Sequence, residues 1–351
     1  MKVHYQIREM HPVVPFRISR ETKTIVRNLF LELDEGIGES SPCPYFGDTL
    51  DTRFGEMADV ISQLGDDPFE IEEIMRRVSR ITTSRVLRAA VDIALHDLIG
   101  KRLNKPLYSL FGLSRKRAPQ STFTIGIDKT ETMVEQAVKA TKQFPLLKIK
   151  LGGPDDLNVM QKMRDALPKQ IFRVDANGGW HDAKEALKYI DALAELKIEF
   201  VEQPLPPTAA EDLKKVFQKS KLPIILDESV RESADVPKVI GQCHGINIKL
   251  MKCGGIREAL RTIHTARAHG LQIMLGCMLE SSVAVTAAAH ISPLVDYADL
   301  DGAILLADDP FVGMKLEHGW IRLPDTPGLG VQTRSSHNQT GVKSDVKVVE
   351  R

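Results

Sequence analysis

The sequence predicts a (β/α) barrel preceded by a smaller α+β domain. From about residue 117 onward, short apolar runs alternate with amphipathic helical stretches. Polar residues near the ends of successive runs, at positions 148, 175, 202, 227 and 249, are 22 to 27 residues apart. That spacing is typical of a repeated strand–helix unit, and eight such units need roughly 200 residues. Before residue 115 strands come first and helices follow, which indicates an α+β module.

In chain order, residues 24–36 (TIVRNLFLELDEG) alternate in hydrophobicity and predict a strand. Residues 84–103 have apolar side chains at helical spacing, and Gly100 is positioned to end that helix. For the region after about residue 117, the alternative to a barrel is a doubly wound open sheet. Such sheets often carry a GxGxxG motif after their first strand, and no such motif follows the first predicted strand of this region. The eight predicted barrel strands lie in STFTIGI, PLLKIKL, IFRVDA, IEFVE, PIILD, INIKL, IMLGC and YADLDG.

Composition and charge exclude several classes of protein. The 351 residues are 42% hydrophobic and 27% charged, which is typical of a globular protein rather than a disordered one. The 47 basic and 47 acidic residues balance, which argues against binding to nucleic-acid phosphates. The four cysteines form no CxxC pair, and no apolar stretch approaches 18 residues. We therefore expect a cytoplasmic protein with no nucleic-acid and no membrane partner.

Three carboxylates follow three successive predicted strands. Asp175, Glu202 and Asp227 each come within a residue of the end of an apolar run. In a barrel these strand ends meet at one face, where the acids would repel one another unless a cation neutralised them. Oxygen ligands favour Mg²⁺ over Zn²⁺. Any one of these acids could instead cap the following helix, but three on adjacent strands favour a metal site.

Lysines flank these carboxylates on both sides. Lys148 and Lys150 are two apart on one strand and so share a face, and Lys249 lies in the strand beyond the third acid. We expect crowding and a nearby cation to lower lysine pKa values, as a general base requires. A base on each side of a substrate could remove a proton next to a carboxylate and return it with inverted configuration. A divalent cation would stabilise the resulting enediolate.

With these residues at these positions, the sequence resembles the enolase superfamily, specifically its muconate-lactonizing-enzyme-like subgroup, over essentially the whole chain to residue 330. The resemblance implies a modified TIM-type (β/α)7β barrel at residues 116–309 and an N-terminal α+β capping domain at 1–115. It also implies that residues 310–335 return to the capping domain and that the protein is a homo-oligomer. The polar, aperiodic segment 336–351 predicts a mobile tail.

Within the subgroup the sequence is most similar to dipeptide epimerases. Asp299 and Asp301 match their DxD motif on the last barrel strand, where paired carboxylates suit the α-ammonium of a dipeptide. The segment PFRISRETK resembles a capping loop that presents a cation to a glutamate side chain. Lys23 occupies that place with Arg20 nearby, although lysine offers a point charge and not a bidentate fork.

The resemblance implies a Mg²⁺-dependent L-Ala-D/L-Glu epimerase of murein peptide metabolism. Lys150 and Lys249 would exchange the α-proton with Lys148 assisting; Asp175, Glu202 and Asp227 would hold the metal. Alternatives are an epimerase for cationic or hydrophobic dipeptides, an N-succinylamino-acid racemase or o-succinylbenzoate synthase, and an inactive barrel acting as a binding protein. Among the neighbouring polar residues, Lys252 is interpreted as a loop residue.

Overall fold

The computed structural model describes residues 1–49, 54–153 and 155–334, and the backbone of 345–349. Its first part contains a long antiparallel sheet and a short hairpin. The strands are β1 (Val3–Met10), β2 (Phe16–Arg17), β3 (Thr22–Lys23), β4 (Val26–Leu33) and β5 (Gly36–Ser40). Strand β4 lies between β1 and β5, while β2 and β3 form the separate hairpin. The helices of this part are Met57–Ser62, Ile71–Ile81, Arg85–Arg102 and Leu107–Leu110.

The longest of these helices, Arg85–Arg102, packs on β5. Its N-terminus is capped by Ser84, whose hydroxyl accepts a hydrogen bond from the Leu87 amide. A Cβ at Gly38 would lie 2.0 Å from the Ala90 carbonyl oxygen, so only glycine allows this approach. Contrary to prediction, the helix continues through Gly100. A Cβ there would lie 2.6 Å from the Gly328 Cα, so this glycine serves close packing and not helix termination.

The barrel is confirmed. Its eight strands are hydrogen-bonded in chain order and all neighbouring pairs are parallel. The Thr122 amide donates to the Ala298 carbonyl at 3.1 Å and closes the ring between the first and last strands. The strands are β6 (Phe123–Ile125), β7 (Leu146–Lys150), β8 (Ile171–Asp175), β9 (Val201–Glu202), β10 (Ile224–Leu226), β11 (Gly245–Ile248), β12 (Gln272–Gly276) and β13 (Tyr297–Asp299).

Seven helical connections join these eight strands, as expected for a (β/α)7β barrel. The connection between β10 and β11 is a 3₁₀ helix, Ser233–Val239. The other six contain α-helices, and the connection between β11 and β12 contains two of them. The α-helices are Thr130–Ala140, Asp156–Ala166, Ala183–Glu195, Ala210–Lys219, Leu250–Cys253, Ile256–Ala268 and Ser282–Ala289. In the described part of the chain, no helix is both long and apolar enough to cross a membrane.

After the barrel the chain forms short strands β14 (Phe311–Val312), β15 (Lys315–Glu317), β16 (Trp320–Arg322) and β17 (Gln332–Thr333). The Leu107 amide donates to the Gly328 carbonyl at 3.1 Å, so this segment contacts the first part of the chain. Most of the predicted mobile tail lies outside the described residues. Its residues Asp345–Val349 form β18, which pairs antiparallel with β1. The domain boundaries at 115 and 310 stay a prediction.

Two buried carboxylates attach the N-terminal part to the barrel. The Glu39 carboxylate, on β5, accepts hydrogen bonds from the Ser281 amide at 2.9 Å and the Ala284 amide at 3.0 Å. These amides lie at the N-terminus of a barrel helix, which stabilises an anion. Asp92 accepts from the Ile256 amide at 2.6 Å in the same way. The N-terminal part is thereby held over the face of the barrel where the strands end.

Candidate active site

The three predicted metal ligands converge at the carboxyl ends of adjacent strands. Asp175 ends β8, Glu202 ends β9, and Asp227 follows β10 directly. One carboxylate oxygen from each lies within 4.8 Å of one from each of the others, and all three side chains are buried. Because β8, β9 and β10 are neighbours in the sheet, their parallel register produces this cluster. The three residues could hold one metal ion.

The electrostatics of this cluster fit a cation. Glu202 Oε2 is buried without a hydrogen-bond partner, and the Lys148 ammonium lies 3.5 Å from it. Burial and the neighbouring Asp175 charge raise the pKa of Glu202 to about 7. A buried acceptor with no donor is costly unless another group satisfies it. The all-oxygen donor set suits a hard divalent cation such as Mg²⁺.

Lysines lie on both sides of the carboxylates. Lys150, at the end of β7, places its ammonium 2.6 Å from Asp175 Oδ2. Lys249 follows β11 and places its ammonium 2.7 Å from Asp227 Oδ2. Gly276, on the neighbouring strand β12, leaves space for the Lys249 side chain, because a Cβ at this position would lie 3.2 Å from Lys249 Cε. Two ammonium groups therefore approach one cluster from opposite flanks.

The carboxylates of the protein act on the pKa values of Lys148 and Lys249 in the direction opposite to the expected lowering. Burial disfavours the charged form of Lys249, but attraction by Asp227 and Glu202 outweighs it, and the pKa is raised above its ordinary value. Lys148 is likewise buried, and the attraction of Asp299, Glu202 and Asp175 raises its pKa. The protein's own carboxylates thus stabilise the ammonium forms. The expected lowering depends on a cation that offsets these carboxylates.

Asp299 and Asp301 lie together across the barrel mouth. Asp299 accepts hydrogen bonds from the Lys148 ammonium and from the hydroxyls of Thr122 and Thr124. Asp301 Oδ2 accepts from the Thr124 amide at 2.6 Å. Burial and the Asp299 charge raise the pKa of Asp301 to about 7. Asp299 therefore accepts three hydrogen bonds from the described part of the protein, whereas Asp301 accepts one and can accept others from a bound molecule.

One cavity connects these groups with the N-terminal part of the chain. Eight of the ten predicted site residues line it, while Asp175 and Glu202 do not line it but lie within 4.0 Å of the lining residue Lys148. The lining residues from the N-terminal part are Phe16, Ile18, Arg20, Glu21, Lys23, Cys43 and Phe46. Those from the barrel part are Thr124, Lys148, Lys150, Asn177, Asp227, Glu228, Lys249, Cys277, Met278, Leu279, Asp299, Asp301 and Leu305.

The two predicted capping-loop cations occupy different environments. Arg20 donates from Nη1 to the Asn177 carbonyl and from Nη2 to Glu228 Oε1, both at 2.8 Å. Its guanidinium also lies over the Tyr45 ring at 4.0 Å. Lys23 has a looser contact, with its ammonium 3.5 Å from Glu21 Oε1. The structure thus favours Arg20 as a residue that holds the β2–β3 hairpin on the barrel, and leaves Lys23 as the capping-loop cation with the weaker protein contact.

The sequence interpretation missed two polar residues beneath the carboxylates. Lys252, interpreted as a loop residue, is 1% exposed, and its ammonium lies 2.5 Å from Asp227 Oδ1. Asn247 donates from Nδ2 to Glu202 Oε1 at 2.7 Å. A signal for Asn247 existed, because it lies two residues before Lys249 on one strand and so shares its face. Lys252 had no comparable signal, since it lies on a short helix.

Comparison with known proteins places the chain in a family. Residues 2–112 match the model of the mandelate racemase / muconate lactonizing enzyme N-terminal domain, and residues 132–337 match that of the enolase C-terminal domain-like proteins. The chain is 40% identical to L-Ala-D/L-Glu epimerase of Bacteroides thetaiotaomicron over 321 residues, which cover 90% of this chain and 84% of that protein. It is 39% identical to hydrophobic dipeptide epimerase of Roseobacter litoralis over 342 residues, covering 94% and 98%.

A solved structure agrees with these matches. The fold is similar to that of dipeptide epimerase from Cytophaga hutchinsonii complexed with Mg and the dipeptide D-Ala-L-Val. The TM-score is 0.91 at 28% identity, covering 99% of this chain and 100% of that one. Since both domain models match and the relatives span nearly the whole chain, the protein belongs to the mandelate racemase / muconate lactonizing enzyme group of the enolase superfamily.

Proposed function

We propose that the protein is a Mg²⁺-dependent dipeptide epimerase that inverts the α-carbon of the C-terminal residue. The observation that supports it is the placement of Lys150 and Lys249 on opposite flanks of one carboxylate cluster, at 2.6 and 2.7 Å from Asp175 and Asp227. The α-proton passes to the nitrogen of one lysine, and the ammonium of the other donates a proton to the opposite face of the carbon. The relatives named above are epimerases of the same class.

Asp175, Glu202 and Asp227 would hold the cation beneath the substrate. When bound, Mg²⁺ supplies positive charge that offsets both these carboxylates and the charge developing on the substrate carboxylate. Lys148, within 3.5 Å of Glu202 Oε2, adds a fixed positive charge beside the same position. Its contact with Asp299 keeps it charged and holds its side chain in place. We therefore assign Lys148 an electrostatic role and not proton transfer.

Asp301 would accept hydrogen bonds from the α-ammonium of the dipeptide, and Asp299 adds a second negative charge beside it. We expect Asp301→Asn to raise KM for dipeptides about 10- to 100-fold, the effect of removing one charge-assisted hydrogen bond. Steady-state kinetics check this, with Asp308→Asn as the control because Asp308 lies nearby but pairs with His11 outside the cavity. An unchanged KM in Asp301→Asn contradicts the assignment and favours a substrate without an ammonium group.

For the side chain at the inverted carbon we propose glutamate, and hence L-Ala-D/L-Glu in murein peptide metabolism. Lys23 supports this, because the residue lines the cavity and its ammonium lies no closer than 3.5 Å to Glu21 Oε1. A second candidate is a hydrophobic side chain, which the lining by Phe16, Phe46 and Leu279 favours. The cytoplasmic location and the homo-oligomer stay predictions.

Two capping-loop variants separate these substrate hypotheses. If Lys23 binds a glutamate side chain, Lys23→Met should lower kcat/KM for L-Ala-L-Glu about tenfold or more and leave that for L-Ala-L-Leu nearly unchanged. Arg20→Met should raise KM for both dipeptides alike, because the hairpin loses its contacts with Asn177 and Glu228. A Lys23 variant that treats the two dipeptides equally contradicts the glutamate assignment.

The reaction itself is tested by a dipeptide library incubated with Mg²⁺ in D₂O. Mass spectrometry then measures deuterium uptake at the C-terminal residue. Uptake in L-Ala-L-Glu supports the full proposal, whereas uptake confined to cationic or hydrophobic dipeptides keeps the reaction and contradicts the glutamate assignment. Uptake only in N-succinylamino acids favours the racemase, and turnover of the o-succinylbenzoate precursor favours the synthase. Absence of all of these supports the binding-protein alternative.

A further inference from the structure

Each carboxylate of the metal cluster has one oxygen held by a donor of the protein. Asp175 Oδ1 accepts from the Asn177 amide at 2.8 Å. Glu202 Oε1 accepts from Asn247 Nδ2 at 2.7 Å, and Asp227 Oδ1 accepts from the Lys252 ammonium at 2.5 Å. Three different groups, a backbone amide, a side-chain amide and an ammonium, thus make equivalent contacts with the three ligands.

The second oxygen of each carboxylate has a different environment. Asp175 Oδ2 and Asp227 Oδ2 contact Lys150 and Lys249, the two lysines that also line the open cavity, and Asp175 Oδ2 accepts a longer hydrogen bond from Asn177 Nδ2 at 3.2 Å. Glu202 Oε2 is buried with no hydrogen-bond partner. A cation would bind these second oxygens by displacing the donors that contact the two aspartates. Each residue then contributes a single ligand atom.

Lys252 is the most tightly held of the three donors. Besides Asp227 Oδ1, its ammonium contacts the carbonyls of Asp227 at 2.6 Å, Asn247 at 2.7 Å and Val230 at 3.0 Å. An ammonium has three N–H groups, so these acceptors use all of its donor capacity. The side chain does not line the cavity and cannot contact a substrate there. Its direct contact with the metal ligands is the one with Asp227.

We propose that Lys252 and Asn247 are positioning residues that make the site select Mg²⁺ over Ca²⁺. This rests on the magnesium site of the proposed function. Mg²⁺ requires near-ideal octahedral geometry with few ligands, whereas Ca²⁺ takes six to eight oxygens and readily accepts bidentate carboxylates. By occupying lone pairs of Asp227 Oδ1 and Glu202 Oε1, the two residues disfavour bidentate ligation. The larger cation is then under-coordinated and binds weakly.

The test is titration calorimetry of the full chain, after treatment with a chelator, with Mg²⁺ alone and with Ca²⁺ alone. In Lys252→Met we expect the ratio of Kd for Ca²⁺ to Kd for Mg²⁺ to fall about tenfold or more. Losing a positive charge changes both affinities in the same direction, so the ratio isolates the geometric effect. Lys238→Met is the control, because Lys238 is exposed and pairs with Asp235 away from the cluster.

Asn247→Leu provides a second, independent variant of similar shape in case Lys252→Met does not fold. It frees Glu202 Oε1 and should lower the same ratio. A purely structural role would lower the melting temperature and leave the ratio unchanged, and that result in the folded variants overturns the proposal. So does a wild-type protein that binds Ca²⁺ as tightly as Mg²⁺. Wild-type protein that binds no Mg²⁺ contradicts the proposed function itself.

Discussion

Replacing either Lys150 or Lys249 with alanine should lower the rate of epimerisation about a thousandfold, because each lysine serves one face of the α-carbon. The two amines lie on opposite flanks of the carboxylate cluster, so neither can replace the other. Chiral chromatography of L-Ala-L-Glu and L-Ala-D-Glu measures the loss. Lys238→Ala, which removes an exposed lysine, should retain the wild-type rate.

Isotope exchange makes this test specific to proton transfer. Each single variant keeps one base, so it should still exchange the α-proton of one diastereomer with D₂O while failing to invert it. The two variants should show this residual exchange with opposite diastereomers. Calorimetric binding of Mg²⁺ shows that each variant remains folded around its metal site. Full epimerase activity in either variant would refute the two-base mechanism.

Glu202→Gln should abolish activity and weaken Mg²⁺ binding about 100-fold, while making the chelator-treated protein more stable at pH 8. The carboxylate is fully buried between two other acids, and one of its oxygens has no hydrogen-bond partner. Burial and repulsion by Asp175 outweigh the attraction of Lys148 and Lys249 for this charge, so a neutral amide of the same shape relieves a net cost. Calorimetry measures the affinity, and thermal unfolding measures the stability.

The pKa of Glu202 determines how the stability gained in Glu202→Gln changes with pH. The pKa of Glu202 is about 7 in the folded protein, above the ordinary 4.5. Between these values the folded state holds a proton that the unfolded state has lost, so this group's contribution to stability falls as pH rises from about 4.5 to about 7. The melting temperature of Glu202→Gln should therefore exceed that of wild type more at pH 8 than at pH 5. An equal difference at both pH values contradicts the pKa assignment.

Much of the fold follows from local patterns in the sequence. Each of the eight predicted runs overlaps one barrel strand. A parallel strand that is buried on both faces needs apolar side chains on both, so it is a short apolar run in the sequence. The regular spacing of polar residues at the strand ends also predicted which carboxylates and lysines would meet. Gly100 was misread because the requirement for glycine came from Gly328, which is 228 residues away in the sequence.

The sequence alone thus determined the barrel, the family and the set of residues at the strand ends. Periodicity and strand spacing are local properties, and the barrel brings every strand end to one face. Only the tertiary structure decided how these residues interact. It placed Lys252 against Asp227, paired Arg20 with Glu228, and brought carboxylates close enough to Lys148 and Lys249 to raise the pKa values of these two lysines. These outcomes depend on distances of a few ångströms between distant segments, which no pattern along the chain encodes.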